Sequence, residues 1–134
     1  MLDAIIVDDY DDHAELLEFH LKILGVKVVA KGRNGMEAFL LYKNHNPVFV
    51  FLDVNMPVYD GLFALDKIRK IDPSVRIIMI TGDTSELTKR NLTFLGATEI
   101  LYKPVDPIRL RDIVEREMRD MYRMNSIMNM SNLS

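Results

Sequence analysis

The chain contains no cysteine and no tryptophan. Without thiols it can form neither a disulfide nor a thiolate metal site, although that alone does not set its compartment. It also lacks a long apolar run. Stretches such as Val48–Leu52 and Ile77–Ile80 are far too short to cross a bilayer. The first residues, Met-Leu-Asp, bring no basic segment and meet an acid at once, unlike a secretory leader. Basic charge is not in surplus: 17 Lys and Arg stand against 20 Asp and Glu, for a net charge of −3, so there is no electrostatic footprint for nucleic acid. Repeats and low-complexity linkers are missing too. These absences lead to the expectation of a soluble, cytoplasmic chain with no membrane insertion and no direct DNA binding.

What is present describes one globular domain. The length of 134 residues leaves no room for two full cores, and 49% hydrophobic with 28% charged residues excludes a mostly disordered chain. Continuous apolar runs at Ala4–Val7, Val48–Leu52 and Ile77–Ile80 read as strands buried on both faces. Val26–Ala30 and Ile100–Tyr102 are weaker strand candidates. Helical spacing fills the intervals. Ala14, Leu17, Leu21 and Leu24 repeat every three or four residues before Gly25, and Met36–Tyr42 is rich in helix formers. Gly61–Ile71 closes at Asp72-Pro73, Thr84–Leu95 starts on Thr84 or Ser85 and stops at Gly96, and a fifth helix begins after Asp106-Pro107. Alternation of this kind predicts an α/β fold, an open, doubly wound five-stranded parallel sheet with five helices on its two faces. From about Arg123 the composition turns to Asn, Ser and Met, so a body over 1–122 and a tail over 123–134 are expected, the tail extending the fifth helix.

Charge is unevenly distributed. Residues 1–21 hold seven acids and no Lys or Arg, a density that repels itself unless a cation sits among it. Ligands of open parallel sheets bind at the carboxyl ends of the strands, and those ends here carry Asp8-Asp9, Asp53, Thr81 and Lys103. Asp11 and Asp12 are better placed to cap the first helix, which leaves the earlier pair for another task. Three converging carboxylates call for a hard divalent cation bound through oxygen, Mg²⁺ above all. His13, His20 and His45 read as helix-face or surface residues away from this edge, which disfavours zinc.

Asp8-Asp9 after the first strand, Asp53 in Leu-Asp-Val-Asn-Met-Pro followed by Asp60-Gly61, then Thr81-Gly82 and Lys103-Pro104 together resemble the receiver domain of two-component response regulators, in its single-domain, chemotaxis-regulator-like form. The resemblance spans about residues 3–120 and implies the flavodoxin-like strand order 2-1-3-4-5. It further implies that Asp53 accepts a phosphoryl group from a sensor histidine kinase or a phosphotransfer protein. Asp8, Asp9, Asp53 and the backbone carbonyl of Asn55 would hold Mg²⁺, with Thr81 and Lys103 contacting the phosphoryl oxygens and a cis bond at Lys103-Pro104. Such a chain would catalyse only its own phosphotransfer and self-dephosphorylation, switch conformation, and dock on a downstream protein. The alternatives are an intermediate of a phosphorelay and, less well matched, a haloacid-dehalogenase-like phosphatase, whose acceptor follows the first strand. A flavodoxin-type flavin carrier fits worse, because Asp8, Asp9, Asp11 and Asp12 would repel a phosphate in the first loop.

Three details are specific to this sequence. Asn55 and Asp83 flank the path by which water would reach an acyl phosphate on Asp53, so they are expected to tune its lifetime. Ile100 stands where receivers usually carry a Tyr or Phe that swings with the Thr, and Tyr102, two residues on and on the same face, is the candidate output residue. Leu110, Val114, Met121, Met124 and Met128 follow a 4-3 spacing broken only by Glu117, a stripe suited to a partner or to a second copy in a homodimer.

Overall fold

The computed structural model describes residues 2–131. Five strands form one parallel sheet in the order β2-β1-β3-β4-β5: β1 (Leu2–Val7), β2 (Val26–Gly32), β3 (Phe49–Asp53), β4 (Arg76–Thr81) and β5 (Glu99–Tyr102). Period-2 alternation splits their side chains between two cores. Ile5, Val7, Val50, Leu52, Ile77 and Met79 meet α2 (Gly35–His45), α3 (Gly61–Ile71) and α4 (Glu86–Phe94) on one face. Ala4, Ile6, Phe49, Phe51, Ile78, Ile80 and Leu101 meet α1 (Asp11–Ile23) and α5 (Pro107–Ser131) on the other. This is the doubly wound arrangement expected from the sequence. β3, in the middle, is buried at all five positions, which is why it reads as an unbroken apolar run ending in one acid.

Short polar side chains fix where the helices begin. The Asn34 side chain accepts the Glu37 N–H at α2, Asp60 accepts the Phe63 N–H at α3, and Ser85 accepts the Thr88 N–H at α4. The Ser85 cap moves the start of α4 to Glu86, two residues after the earliest expected start. At α1 the expectation of an Asp11 or Asp12 cap is corrected: Tyr10 occupies the N-cap without a side-chain bond, and both acids sit in the first turn. Asp8 has taken the Tyr10 N–H instead, at 2.9 Å, and Asp11 and Asp12 act on the positive end of the helix dipole.

α5 is one continuous helix of 25 residues, about 37 Å long, so position 123 falls inside it. Leu110, Ile113 and Val114 are buried against the sheet, with Met118 and Met121 packed at the margin. Further along, Met124, Met128 and Met130 are exposed. Residues 132–134 of the expected tail lie outside the described residues. Glu117, the break in the stripe, is buried beside Arg76 with Nε–Oε1 at 3.6 Å. Burial, then the Asp120 charge, push its carboxyl above the usual range.

At the amino edge of the sheet one half-buried arginine ties two connections together, α3–β4 and α4–β5. Arg69 Nε donates to Gly96 O at 2.9 Å, Nη1 to Val75 O at 2.7 Å and Asp72 O at 3.2 Å, and Nη2 to Thr98 Oγ1 at 3.3 Å. Replacing it removes donors from several carbonyls at once. Arg69→Met is expected to lower the unfolding free energy by about 2 kcal/mol, read from urea denaturation, with the secondary structure unchanged by circular dichroism.

Candidate functional site

The alternation that builds the two cores also aims the polar strand ends. Asp8, Asp53 and Lys103 continue the register of Ile6, Phe51 and Leu101, on the α1/α5 side. Thr81 continues that of Ile77 and Met79, from the opposite side. The structure brings these residues together at the carboxyl edge. Lys103 Nζ lies 3.1 Å from Asp53 Oδ2 and 3.7 Å from Asp8 Oδ2. Asp53 is 3% exposed, Asp8 6% and Thr81 1%. The Lys103–Pro104 bond is cis.

Among the described residues, carboxylate oxygens of Asp8, Asp9 and Asp53 lie within 4.8 Å of one another. One oxygen, Asp9 Oδ1, is buried with no hydrogen-bond partner. A single ammonium therefore faces three acids, and one acidic oxygen has no donor. Oxygen-only ligands, net negative charge and an unsatisfied lone pair fit a hard divalent ion such as Mg²⁺. Burial pushes the Asp53 carboxyl above the ordinary carboxylate value, the Lys103 bond pulls it back, and the Asp8 charge adds to the rise. The backbone N–H of Asn55 also favours the ionised form of Asp53.

The β3–α3 loop is held close to the strand that carries Asp53. Gly61 N–H donates to Val54 O at 2.8 Å, and a Cβ on Gly61 would stand 2.2 Å from Asp53 O, so only glycine permits this approach. Gly35 N–H donates to Tyr59 O at 2.7 Å, linking the loop to α2, and Tyr59 N–H donates back to Pro57 O at 2.9 Å. The residue inside that γ-turn is Val58, with φ +70° and 92% exposure, a strained backbone for a β-branched side chain.

Several contacts were not foreseen from the sequence. His13 had been placed away from the edge; its Nδ1 lies 3.8 Å from Asp8 Oδ2, because the first turn of α1 folds back over the strand that ends in Asp8. Arg33, beyond β2, reaches Asp11 Oδ1 at 2.7 Å and Asp9 O at 3.3 Å, and Lys31 pairs with Glu18 at 2.7 Å. These cations, remote in sequence, partly offset the acidic segment. Asp83 lines a cleft of about 150 Å³ together with Asn55, Thr81, Thr88 and Asn91. Its carboxylate is already engaged: Oδ1 accepts the Ser85 N–H at 2.8 Å and Oδ2 the Thr88 hydroxyl at 2.6 Å. The Asp83 N–H donates to Thr81 Oγ1 at 3.0 Å. In β5, Ile100 packs against the α2/α3/α4 core, and Tyr102, partly exposed, is the register partner of Thr81. A groove of about 450 Å³ opens on the other side of Lys103, between Leu16, Leu17 and His20 of α1 and Pro104 and Val105.

Residues 4–115 match the family model described as the response regulator receiver domain. The chemotaxis protein CheY of Bacillus subtilis is 32% identical over 114 residues, 85% of this chain and 95% of that protein. A putative response regulator from Chloroflexus aurantiacus superposes with a TM-score of 0.80 at 29% identity, covering 86% of this chain and 95% of that one. A CheY from Borrelia burgdorferi, in a complex with CheX, BeF3 and Mg²⁺, superposes with a TM-score of 0.80 at 30% identity, covering 90% and 89%.

Removing one acid tests the repulsion directly. Asp9→Asn is expected to raise the stability of the metal-free protein by about 1 kcal/mol, measured by thermal unfolding in EDTA. Millimolar Mg²⁺ should stabilise the parent chain clearly and the variant much less.

Proposed function

The chain belongs to the response regulator receiver family, a family of phosphorylation-activated signalling domains, and from that premise we propose that Asp53 is its phosphoacceptor. The observation that supports this most is the pairing of a buried Asp53 carboxylate with Lys103 Nζ at 3.1 Å, beside the partnerless Asp9 oxygen. An Asp53 oxygen attacks the phosphorus of a phosphohistidine in line, the P–N bond breaks, and its electron pair leaves with the imidazole. Asp8, Asp9, Asp53 and the Asn55 carbonyl hold Mg²⁺, which when bound neutralises charge on the phosphoryl oxygens. Lys103 pairs with one of those oxygens and the Thr81 hydroxyl donates to another. Water later attacks the acyl phosphate from the cleft flanked by Asn55 and Asp83, where added bulk or positive charge lengthens its lifetime.

The donor is a sensor histidine kinase or a phosphotransfer protein, and it must cover the rim of a site whose acceptor is almost wholly buried. The apolar groove between α1 and Val105 offers that contact. Output passes through Thr81, Ile100 and Tyr102: Thr81 moves to the phosphoryl group, Ile100 refills the space it leaves, and Tyr102 presents an aromatic contact to a downstream protein. The body over 1–122 works in the cytoplasm by docking, without contacting DNA. The apolar row of α5, carried past Met121 by Met124 and Met128, binds a second copy; none of residues 124–134 has a charged side chain, so these segments do not repel one another.

Asp53→Asn is expected to abolish labelling by acetyl phosphate with Mg²⁺, read by intact mass, while thermal unfolding stays cooperative; full labelling of the variant would move the acceptor elsewhere. Mg²⁺ affinity, measured calorimetrically, should weaken as pH falls, because protons compete for the carboxylates. The onset lies above the ordinary carboxylate range, since Asp53 is raised, and Lys103→Met moves it higher still. Sedimentation of the full chain against one ending at Arg123 tests the α5 contact: loss of a concentration-dependent dimer on truncation is the expected result.

A further inference from the structure

The polar cleft behind the acceptor is lined by Thr88 as well as by Asp83, and the Thr88 hydroxyl is committed to the Asp83 carboxylate. Asp83 stands where a carboxylate could take a hydrogen bond from an attacking water, yet both of its oxygens are turned into the first turn of α4. Ser85 N–H holds Oδ1 at 2.8 Å and the Thr88 hydroxyl holds Oδ2 at 2.6 Å. The backbone of the same residue is fixed to the site, its N–H on Thr81 Oγ1 at 3.0 Å. That bond fills an acceptor position of the Thr81 oxygen and leaves its own proton to donate. Thr88 and Asn91, one turn apart, face the cleft along with Asn55, and its volume of about 150 Å³ accommodates several waters.

We propose that Thr88 is a positioning residue that sets the lifetime of the phosphorylated state by clasping the Asp83 carboxylate away from the water in this cleft. The inference rests on Asp53 being the phosphoacceptor. In the hydrolysis it governs, the water oxygen bonds to phosphorus while the P–O bond to Asp53 breaks, the electron pair returning to the carboxylate. The proton lost by the water passes to a nearby base or to solvent, and inorganic phosphate leaves. With the clasp closed, the Asp83 carboxylate is occupied by Ser85 and Thr88 and takes little part. With the Thr88 hydroxyl gone, Oδ2 is released on a residue still tethered beside Thr81, and it is free to accept from the attacking water, a form of assistance that can be large. The clasp is specific to a hydroxyl at position 88: serine preserves it, valine and alanine do not.

The test follows the loss of the phosphoryl group, by intact mass, from protein labelled with acetyl phosphate and then desalted into buffer with Mg²⁺. Thr88→Val is expected to decay at least about threefold faster than the parent, Thr88→Ser at the parent rate, and the double variant Thr88→Val/Asp83→Ala to lose the acceleration. A general loosening of α4 would speed decay without being reversed by the second substitution. Thr88→Ala carries the same test should valine disturb the fold, which thermal unfolding reports. Parent-like or slower decay of both hydroxyl-free variants overturns the proposal, as does an equally fast Thr88→Ser or a double variant as fast as Thr88→Val. Failure of the parent chain to label at all refutes the acceptor assignment instead, so the two ideas fail separately.

Discussion

Three carboxylates gathered within 4.8 Å at one edge of a sheet are electrostatically unfavourable, and much of the molecule answers to that fact. Lys103, just past β5, pairs with Asp53 and Asp8, and Arg33, just past β2, reaches the Asp9 carbonyl and the Asp11 carboxylate. Even so, one oxygen of Asp9 is left without a donor. The fold tolerates the arrangement because β1 and β3, interior strands whose buried residues are apolar up to the acids at their ends, hold those acids in place from below. The free energy of packing two cores thus maintains a local charge excess of the kind a bound cation relieves.

The two faces of the sheet divide the work. On the α1/α5 side lie Asp8, Asp53 and Lys103, the groups that carry charge. On the side of α2, α3 and α4 lies Thr81, connected through the Asp83 backbone to the first turn of α4. Thr81, at the end of β4, is thus joined to α4 through the backbone and side chain of Asp83. The far end of α4 is secured differently: the carbonyl of Gly96, just beyond it, is held by Arg69. The helix is tied to the reactive end of the sheet by short polar side chains, and to the opposite end by a half-buried guanidinium.

The strands and the residues at their carboxyl ends were legible in the sequence because each depends on one local rule. Buried parallel strands need apolar runs, and whatever follows such a run lands at the ligand edge. Asp8, Asp9, Asp53, Thr81 and Lys103 could be placed in that way, as could the order of helices. The approach of His13 to Asp8 could not, since it depends on the angle at which α1 leaves the first loop. Nor could the bonds of Arg33 to Asp9 and Asp11, or the reach of Arg69 to Gly96 and Thr98, which strand order fixes and not proximity along the chain. The Asp83–Thr88 contact is short in sequence, yet it depends on Ser85 starting α4 and so placing Thr88 in the first turn. Glu117 read as a flaw in an apolar stripe, and only the position of Arg76 at the start of β4 explains why an acid is tolerated there.

Val58 has a consequence of a different kind. Its left-handed backbone is compensated by no packing, as the side chain is 92% exposed, so the resting loop carries strain of about 1 kcal/mol. The same loop includes Asn55, at the acceptor, and Tyr59, whose carbonyl is held by α2. Any binding event that lets residue 58 return to an ordinary conformation draws on that stored free energy, a factor of about five in its equilibrium constant. An event that leaves the turn intact gains nothing.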